Sequence, residues 1–260
     1  MRLVTTAQMR AADSYTIEQL GIPSMVLMED AGRQVAELCL RLLRERAGRG
    51  RAFIWAGRGN NGGDGLVIAR RLGLAGYHTE VFLVCPDHDQ IQGPAHQNLE
   101  ILRRLNIAVN QAWTEDEIAA AARVTASGDI QVDALLGTGS RGALTGPLAA
   151  AVQAMNRAGV PTVAVDQPSG LNANTGEVLG PVVQADYTVT IGEPKIGLVT
   201  YPGAEYVGKL QVADIGIPAS AYDLSGPEAV WVEKADVAPL LPVWQATTHK
   251  GERGRGFART

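Results

Sequence analysis

The stretch Ala56-Gly57-Arg58-Gly59-Asn60-Asn61-Gly62-Gly63-Asp64-Gly65 combines glycines with three short oxygen-bearing side chains, Asn60, Asn61 and Asp64. It follows a predicted strand and opens a predicted helix, and Gly57, Gly59 and Gly62 satisfy G-x-G-x-x-G. In that context the spacing is a dinucleotide fingerprint. Glycines permit a tight turn and close backbone approach, and a helix N-terminus attracts phosphate. Two features argue against a redox cofactor. The next strand ends Val84-Cys85-Pro86, with Asp87 only beyond it, so the acid that would bind a ribose is missing. Asp64 also puts a carboxylate where a diphosphate would lie. The three oxygen-bearing side chains can instead hold a polar ligand or a hard cation, which takes oxygen ligands. The plain structural alternative is a tight turn with Asp64 as helix cap.

The same theme recurs twice. Asp133, in the apolar strand Ile130–Leu136, precedes Gly137-Thr138-Gly139-Ser140-Arg141-Gly142-Ala143, and the strand Thr162–Val165 runs into Asp166-Gln167-Pro168-Ser169-Gly170. A carboxylate inside an apolar strand is costly unless paired or ligating, which marks Asp133. Other chemistries lack their residues. His78, His88, His96 and His249 have no ligand spacing for zinc. Ser169 lies in P-S-G and not in a nucleophile elbow, and the glycine loop lacks the Lys-Ser/Thr of a P-loop. Lys195, in Gly192-Glu193-Pro194-Lys195-Ile196-Gly197-Leu198, reads as a surface lysine or as one able to reach a phosphate.

The elements that must position these residues alternate. Thr6 is placed to cap a first helix with Met9, Ala12, Thr16 and Leu20 on one face. Gly21-Ile22-Pro23 ends it, and Ser24 starts a longer helix with the core stripe Met25, Met28, Ala31, Val35, Leu38, Cys39 and Leu42. Predicted strands at Ala52–Ala56, Thr79–Cys85, Ile107–Ala112, Ile130–Leu136, Thr162–Asp166, Tyr187–Ile191 and Leu210–Ile215 follow. Predicted helices at Leu66–Leu74, Gly93–Leu105, Glu115–Ala122 and Leu148–Ala158 intervene. Apolar strands alternating with helices imply an α/β fold, a three-layer Rossmann-like sandwich with a mainly parallel central sheet. In such a sheet the carboxyl ends share one edge, so the three polar turns meet at one crevice.

Length and composition narrow the class. A chain of 260 residues can bury a full core. A net charge of -4 offers no footprint for nucleic acid, and no apolar run approaches a membrane span. No signal core precedes the first helix, and the two cysteines, Cys39 and Cys85, form no disulfide or metal pattern, so a cytoplasmic protein with reduced thiols is expected.

Taken in order, AGRGNNGGDG, DALLGTGSRG, VAVDQPSGLNANTG, PKIGL and LQVADIGIP resemble the YjeF N-terminal domain, the NAD(P)H-hydrate epimerase family, over roughly residues 3–222. The resemblance implies a Rossmann-like fold, a homodimer, and interconversion of the S and R forms of hydrated NADH or NADPH. It implies that Asn60, Asn61, Gly62, Gly63, Asp64, Gly137, Thr138, Gly139, Ser140, Arg141, Gly142, Ala143 and Asp166 bind the hydrated dinucleotide. Asn61, Asp133 and Ser169 would hold a potassium ion. Gln167 departs from the small aliphatic residue usual in D-[IV]-P-S-G, a change that touches local packing. The dinucleotide would then be substrate and not redox cofactor. Asp166 and Asp133 are the candidate catalytic acid and charge-stabilising carboxylate, with Asp64 third. A noncatalytic nucleotide- or protein-binding module on the same fold, or an NAD-dependent oxidoreductase, are the alternatives.

The epimerase domain is expected over 1–224. The segment 225–260, with WVEKADVAPLLP and THKGERGR, looks like the truncated start of an ADP-dependent dehydratase domain, so no dehydratase activity is expected and the tail reads as mobile.

Overall fold

The computed structural model describes residues 1–46, 50–139, 142–222 and 229–241. Strand β1 (Arg2–Leu3) leads into helices α1 (Thr6–Glu18) and α2 (Ser24–Glu45), and then the alternation begins. It runs β2 (Arg51–Ala56), α3 (Asn60–Leu74), β3 (His78–Leu83), α4 (Gly93–Arg104), β4 (Ala108–Gln111), α5 (Glu115–Thr125), β5 (Ile130–Ala134), α6 (Gly146–Arg157) and β6 (Thr162–Val165). Strands β7 (Tyr187–Ile191) and β8 (Lys209–Ala213) complete the sheet, with the short helix α7 (Ala204–Val207) between them and α8 (Ala219–Tyr222) after β8. Two compact units result, one of Arg2–Ala229 and one of Met1 with Val230 onward. In the second, the Met1 amino group donates to the Trp231 carbonyl at 2.9 Å, and Glu233 caps a turn of helix at Lys234–Val237. The sequence-based boundary near 225, and the segment from 242, lie outside the described residues.

The seven strands are parallel and ordered β4-β3-β2-β5-β6-β7-β8. The chain therefore builds outward from β2 to β4, returns, and builds the other way from β5. The reversal lies between β2 and β5, where the crevice of an open α/β sheet forms. Side chains of β2 alternate across the sheet. Ala52, Ile54 and Ala56 join the core beneath α2, α3 and α4, whereas Phe53 and Trp55 join the core beneath α5 and α6. Burial on both faces is why this strand is apolar throughout and why the fold has three layers.

Helix α1 is capped by Thr5 and not by Thr6. Thr5 is extended and completes a capping box with Gln8 at the third helical position, while the Thr6 N–H donates to Asn174 Oδ1 at 2.8 Å. Helix α3 begins at Asn60, six residues before the expected Leu66, so Asn-Asn-Gly-Gly-Asp-Gly is its first turns and not a loop. Close packing accounts for this. A Cβ on Gly57 would lie 2.0 Å from the Leu135 carbonyl oxygen, and one on Gly62 would lie 1.8 Å from that of Gly57. Gly65 faces Ala134 in the same way, at 2.6 Å. The glycines bring α3 and the β2 turn against β5, a gain that outweighs their poor helix propensity. Gly57→Ala is therefore expected to lower stability in urea denaturation by about 1–3 kcal/mol, through overpacking against backbone. Gly139→Ala, where a Cβ meets nothing within 4 Å, should leave the midpoint unchanged.

Candidate functional site

A cleft of about 490 Å³ opens at the carboxyl edge of the sheet. Its floor comes from the turns after β2, β5 and β6. Its sides come from α1 and α2, through residues that include Arg10, Asp13, Leu27 and Met28. Asn60, Asn61, Asp64, Gly137, Thr138, Gly139 and Asp166 line it. Three turns distant in sequence touch there: a Cβ on Gly137 would sit 3.2 Å from Asp166 Oδ2 and 3.3 Å from the Asn61 side chain.

Asp166 is the most tightly specified residue of the site. The Gln167 N–H donates to the Val165 carbonyl at 2.8 Å, closing a three-residue turn on Asp166, whose φ is +67°. That left-handed conformation is strained for a side chain other than glycine. Its carboxylate is what holds it there. Oδ1 accepts from Lys195 Nζ at 2.5 Å and from the Ile191 N–H at 3.3 Å, and Oδ2 accepts from the Thr138 N–H at 3.3 Å. Lys195 is fully buried, and its ammonium also donates to Thr190 Oγ1 and the Ile191 carbonyl. The surface reading of this lysine is thus corrected, since all three of its donors are used inside the protein. No local pattern in the sequence announced it. The only signal was its place just after a strand on the same edge as Asp166.

Asp133 lies deeper. It is completely buried, and its oxygens accept from Ser169 Oγ at 2.6 Å, the Ser169 N–H at 2.7 Å and the Leu135 N–H at 3.2 Å. Ser169 Oγ in turn accepts from the Leu136 N–H at 2.9 Å, which ties the β5 and β6 turns together. Burial pushes the Asp133 carboxyl up to about 6, opposed by these hydrogen bonds. Asp133 is not among the residues that line the cleft; it lies beneath them, bound to Ser169 and Leu135.

Asp64 faces the cleft from the first turns of α3 and is only 6% exposed. Burial raises its carboxyl well above the ordinary range, and the nearby Asp166 and Asp13 charges raise it further. The two ends of the Asn61 amide, Oδ1 and Nδ2, are both buried without a hydrogen-bond partner. An orphaned carbonyl oxygen beside Gly137, with Asp133 and Ser169 in the turns beneath, is a hard oxygen donor set. A monovalent or alkaline-earth cation suits it better than zinc does. Among the described residues no group of three His, Cys, Asp or Glu side chains forms a metal cluster.

The remaining expected residues divide. Gly62 and Gly63 do not line the cleft, being packed on the Gly57 backbone and on Met28 and Ala95. Gly142 lines a neighbouring polar cavity of about 300 Å³ that shares Thr138, as does Gln167. Ala143 lies at neither, although a Cβ on Gly180 would contact it at 3.3 Å. Ser140 and Arg141 fall outside the described residues. Arg10, Asp13 and Arg58 line the cleft without having been anticipated, because nothing in a helical stripe or a glycine loop says which polar side chain will face a ligand.

Lys195→Met should leave Asp166 as an unpaired buried charge and cost about 3–5 kcal/mol in a denaturation experiment. Adding Asp166→Asn should restore a large part of that loss, giving a strong coupling energy in the double-mutant cycle.

The family model for YjeF-related protein N-terminus matches residues 24–197. The chain is 42% identical over 258 residues to a bifunctional NAD(P)H-hydrate repair enzyme, Nnr, of Moorella thermoacetica, covering 99% of this chain and 48% of that protein. It therefore spans about half the length of the bifunctional relatives it matches. It is 39% identical over 211 residues to an NAD(P)H-hydrate epimerase of Limosilactobacillus fermentum, covering 81% of this chain and 95% of the relative. Among solved structures, yeast ynu0 superposes with a TM-score of 0.74 at 25% identity, covering 91% of this chain and 98% of that one.

Proposed function

This chain belongs to the family of YjeF-related protein N-termini, and from that membership we propose that it interconverts the S and R forms of hydrated NADH and NADPH. The observation that carries the reading is the convergence of Asn61, Gly137 and Asp166 on one point of a cleft at the reversal of the sheet. A cleft of about 490 Å³ is of the size that holds a small-molecule ligand. The first N–H groups of α3 are capped by no side chain and Arg58 and Arg10 line the same cleft, so the anionic diphosphate of a dinucleotide has partners there.

The hydrate carries a hydroxyl on the ring carbon next to nitrogen. Protonation of that hydroxyl lets it leave as water, and the nitrogen lone pair stabilises the resulting cation. Water adding to the opposite face and losing a proton gives the other epimer. Asp166, ion-paired with Lys195 at the cleft, would face the cation. Asn61, Asp133 and Ser169 would hold potassium, whose positive charge would compensate the buried Asp133 carboxylate and fix the three turns. The same reading includes a homodimer acting in the cytoplasm. Cys39 and Cys85 are both buried free thiols, in keeping with a reducing compartment, and no described helix is long and apolar enough to cross a membrane.

The purified chain given the R hydrate in potassium buffer should form the S hydrate faster than buffer alone. Replacing potassium by a bulky organic cation should slow it and lower the melting temperature, and Asn61→Ala should remove that dependence. Absence of any acceleration over buffer would refute the assignment.

A further inference from the structure

We propose that Asp64 is the proton donor of the reaction and that Asp166 serves as the fixed carboxylate, a refinement that rests on the epimerase reading. Four carboxyl groups occupy the region, and their surroundings differ: Asp13, on α1, is only half-buried, whereas Asp64, Asp133 and Asp166 are buried. Asp133 is completely buried and committed to Ser169 and Leu135. Asp166 is committed by contact: Oδ1 accepts from the buried Lys195 ammonium and the Ile191 N–H, and Oδ2 from the Thr138 N–H, so both oxygens are already engaged by donors. Asp64 lines the cleft beside Asn61 and accepts no hydrogen bond from any described residue.

The charges facing Asp64 come from several elements. Asp13 and Arg10 reach the cleft from α1, Arg58 from the turn after β2, Asp166 from the turn after β6, and Lys195 from the loop after β7. From α2 and α4 the lining is uncharged, with Ser24, Leu27, Met28 and Ala31 on one and Pro94 on the other. Lys195 is saturated by Asp166, Thr190 and Ile191, so its charge is spent elsewhere. Arg58 bonds the Gln90 side chain and Arg10 the Thr6 carbonyl. Among the described residues no cation forms an ion pair with Asp64. Burial and two neighbouring carboxyl groups keep its own carboxyl protonated beyond the ordinary range. A neutral carboxyl at the head of α3 also removes the repulsion that a carboxylate there would exert on a diphosphate.

The step balances without a further reactant. Asp64 gives its proton to the ring hydroxyl, and the carbon–oxygen bond breaks with its electron pair leaving on water. The cation forms opposite the Asp166 carboxylate. Water then bonds to the other face, and the proton it loses returns through solvent to Asp64.

A buried acid of this kind weakens the fold as pH rises. The folded state holds the proton more tightly than the unfolded state, so stability present at low pH is lost as pH rises through the raised folded value. The test compares wild type, Asp64→Asn and Asp64→Glu for R-to-S conversion and for thermal unfolding, on both sides of neutrality. Asp64→Asn should lower kcat by about 10²–10⁴-fold, the range of general acid catalysis, with a far smaller change in KM. Its melting temperature on the alkaline side should equal or exceed that of wild type, because an amide has no charge to bury. Asp64→Glu should keep part of the rate with the alkaline limb of the pH profile displaced. An Asn variant as fast as an active wild type, or one that loses activity together with alkaline stability, overturns the proposal. Should that variant not fold, an unmoved alkaline limb in Asp64→Glu overturns it equally. A wild type that does not interconvert the epimers overturns the epimerase reading itself, so the two failures are distinguishable.

Discussion

The ion pair between Lys195 and Asp166 is the constraint on which the site depends. A fully buried ammonium is tolerable only with an anionic partner and complete hydrogen bonding, and here both conditions are met by one carboxylate, one hydroxyl and one carbonyl. The pair in turn stabilises a strained turn at Asp166 that would otherwise relax. Its reach extends further through the backbone. Val4 bridges Lys195 in parallel fashion, its N–H donating to the Pro194 carbonyl and its carbonyl accepting from the Ile196 N–H. The N-terminal segment is thereby stapled to the loop that carries the lysine, and α1 is set where Arg10 and Asp13 face the cleft.

Around that pair, chemically identical groups are made different by their surroundings. Asp133 is enclosed and hydrogen-bonded by neutral donors, Asp166 is ion-paired with a lysine, and Asp64 is buried near other carboxyl groups with no ion-pair partner among the described residues. Environment and not residue type separates an acid from a carboxylate, as in enzymes whose paired carboxyl groups hold different protonation states. The hydrogen bonds of Ser169 to both Asp133 and the Leu136 N–H then fix the distance between the two turns that frame the cleft floor.

Much of this could be read from the residues. The strands of the central sheet were legible because burial on two faces demands continuous apolar runs, and the helix expected from Glu115 begins there, after a capping box between Thr114 and Glu117. The start of α3 was not legible. Two adjacent glycines and two asparagines read as a loop, and only the approach of the Leu135 and Gly57 backbones shows why a helix can begin there. The three polar turns were correctly expected at one edge, since parallel strands leave no other arrangement. For Lys195 neither a surface position nor a reach toward phosphate anticipated the buried pair, because its partner lies 29 residues earlier and nothing local signals burial. The divergent roles of the carboxyl groups were equally hidden, because they depend on which side chain meets a lysine and which meets a serine. Gln167, the departure from the family pattern, turns out to be buried, its amide N–H donating to the Leu171 carbonyl at 3.1 Å.

The strand order has a consequence for how the molecule comes into being. The pairings that frame the cleft join Ala52 to Ile130 and Val4 to Lys195, contacts that close very long loops and form none of their stabilising interactions until most of the chain has been made and collapsed. Single helices can assemble early, but the crevice has no local nucleus of its own. Ligand-binding competence is therefore the last property acquired during folding, and a ligand that binds there selects fully assembled molecules and draws the population toward them by mass action.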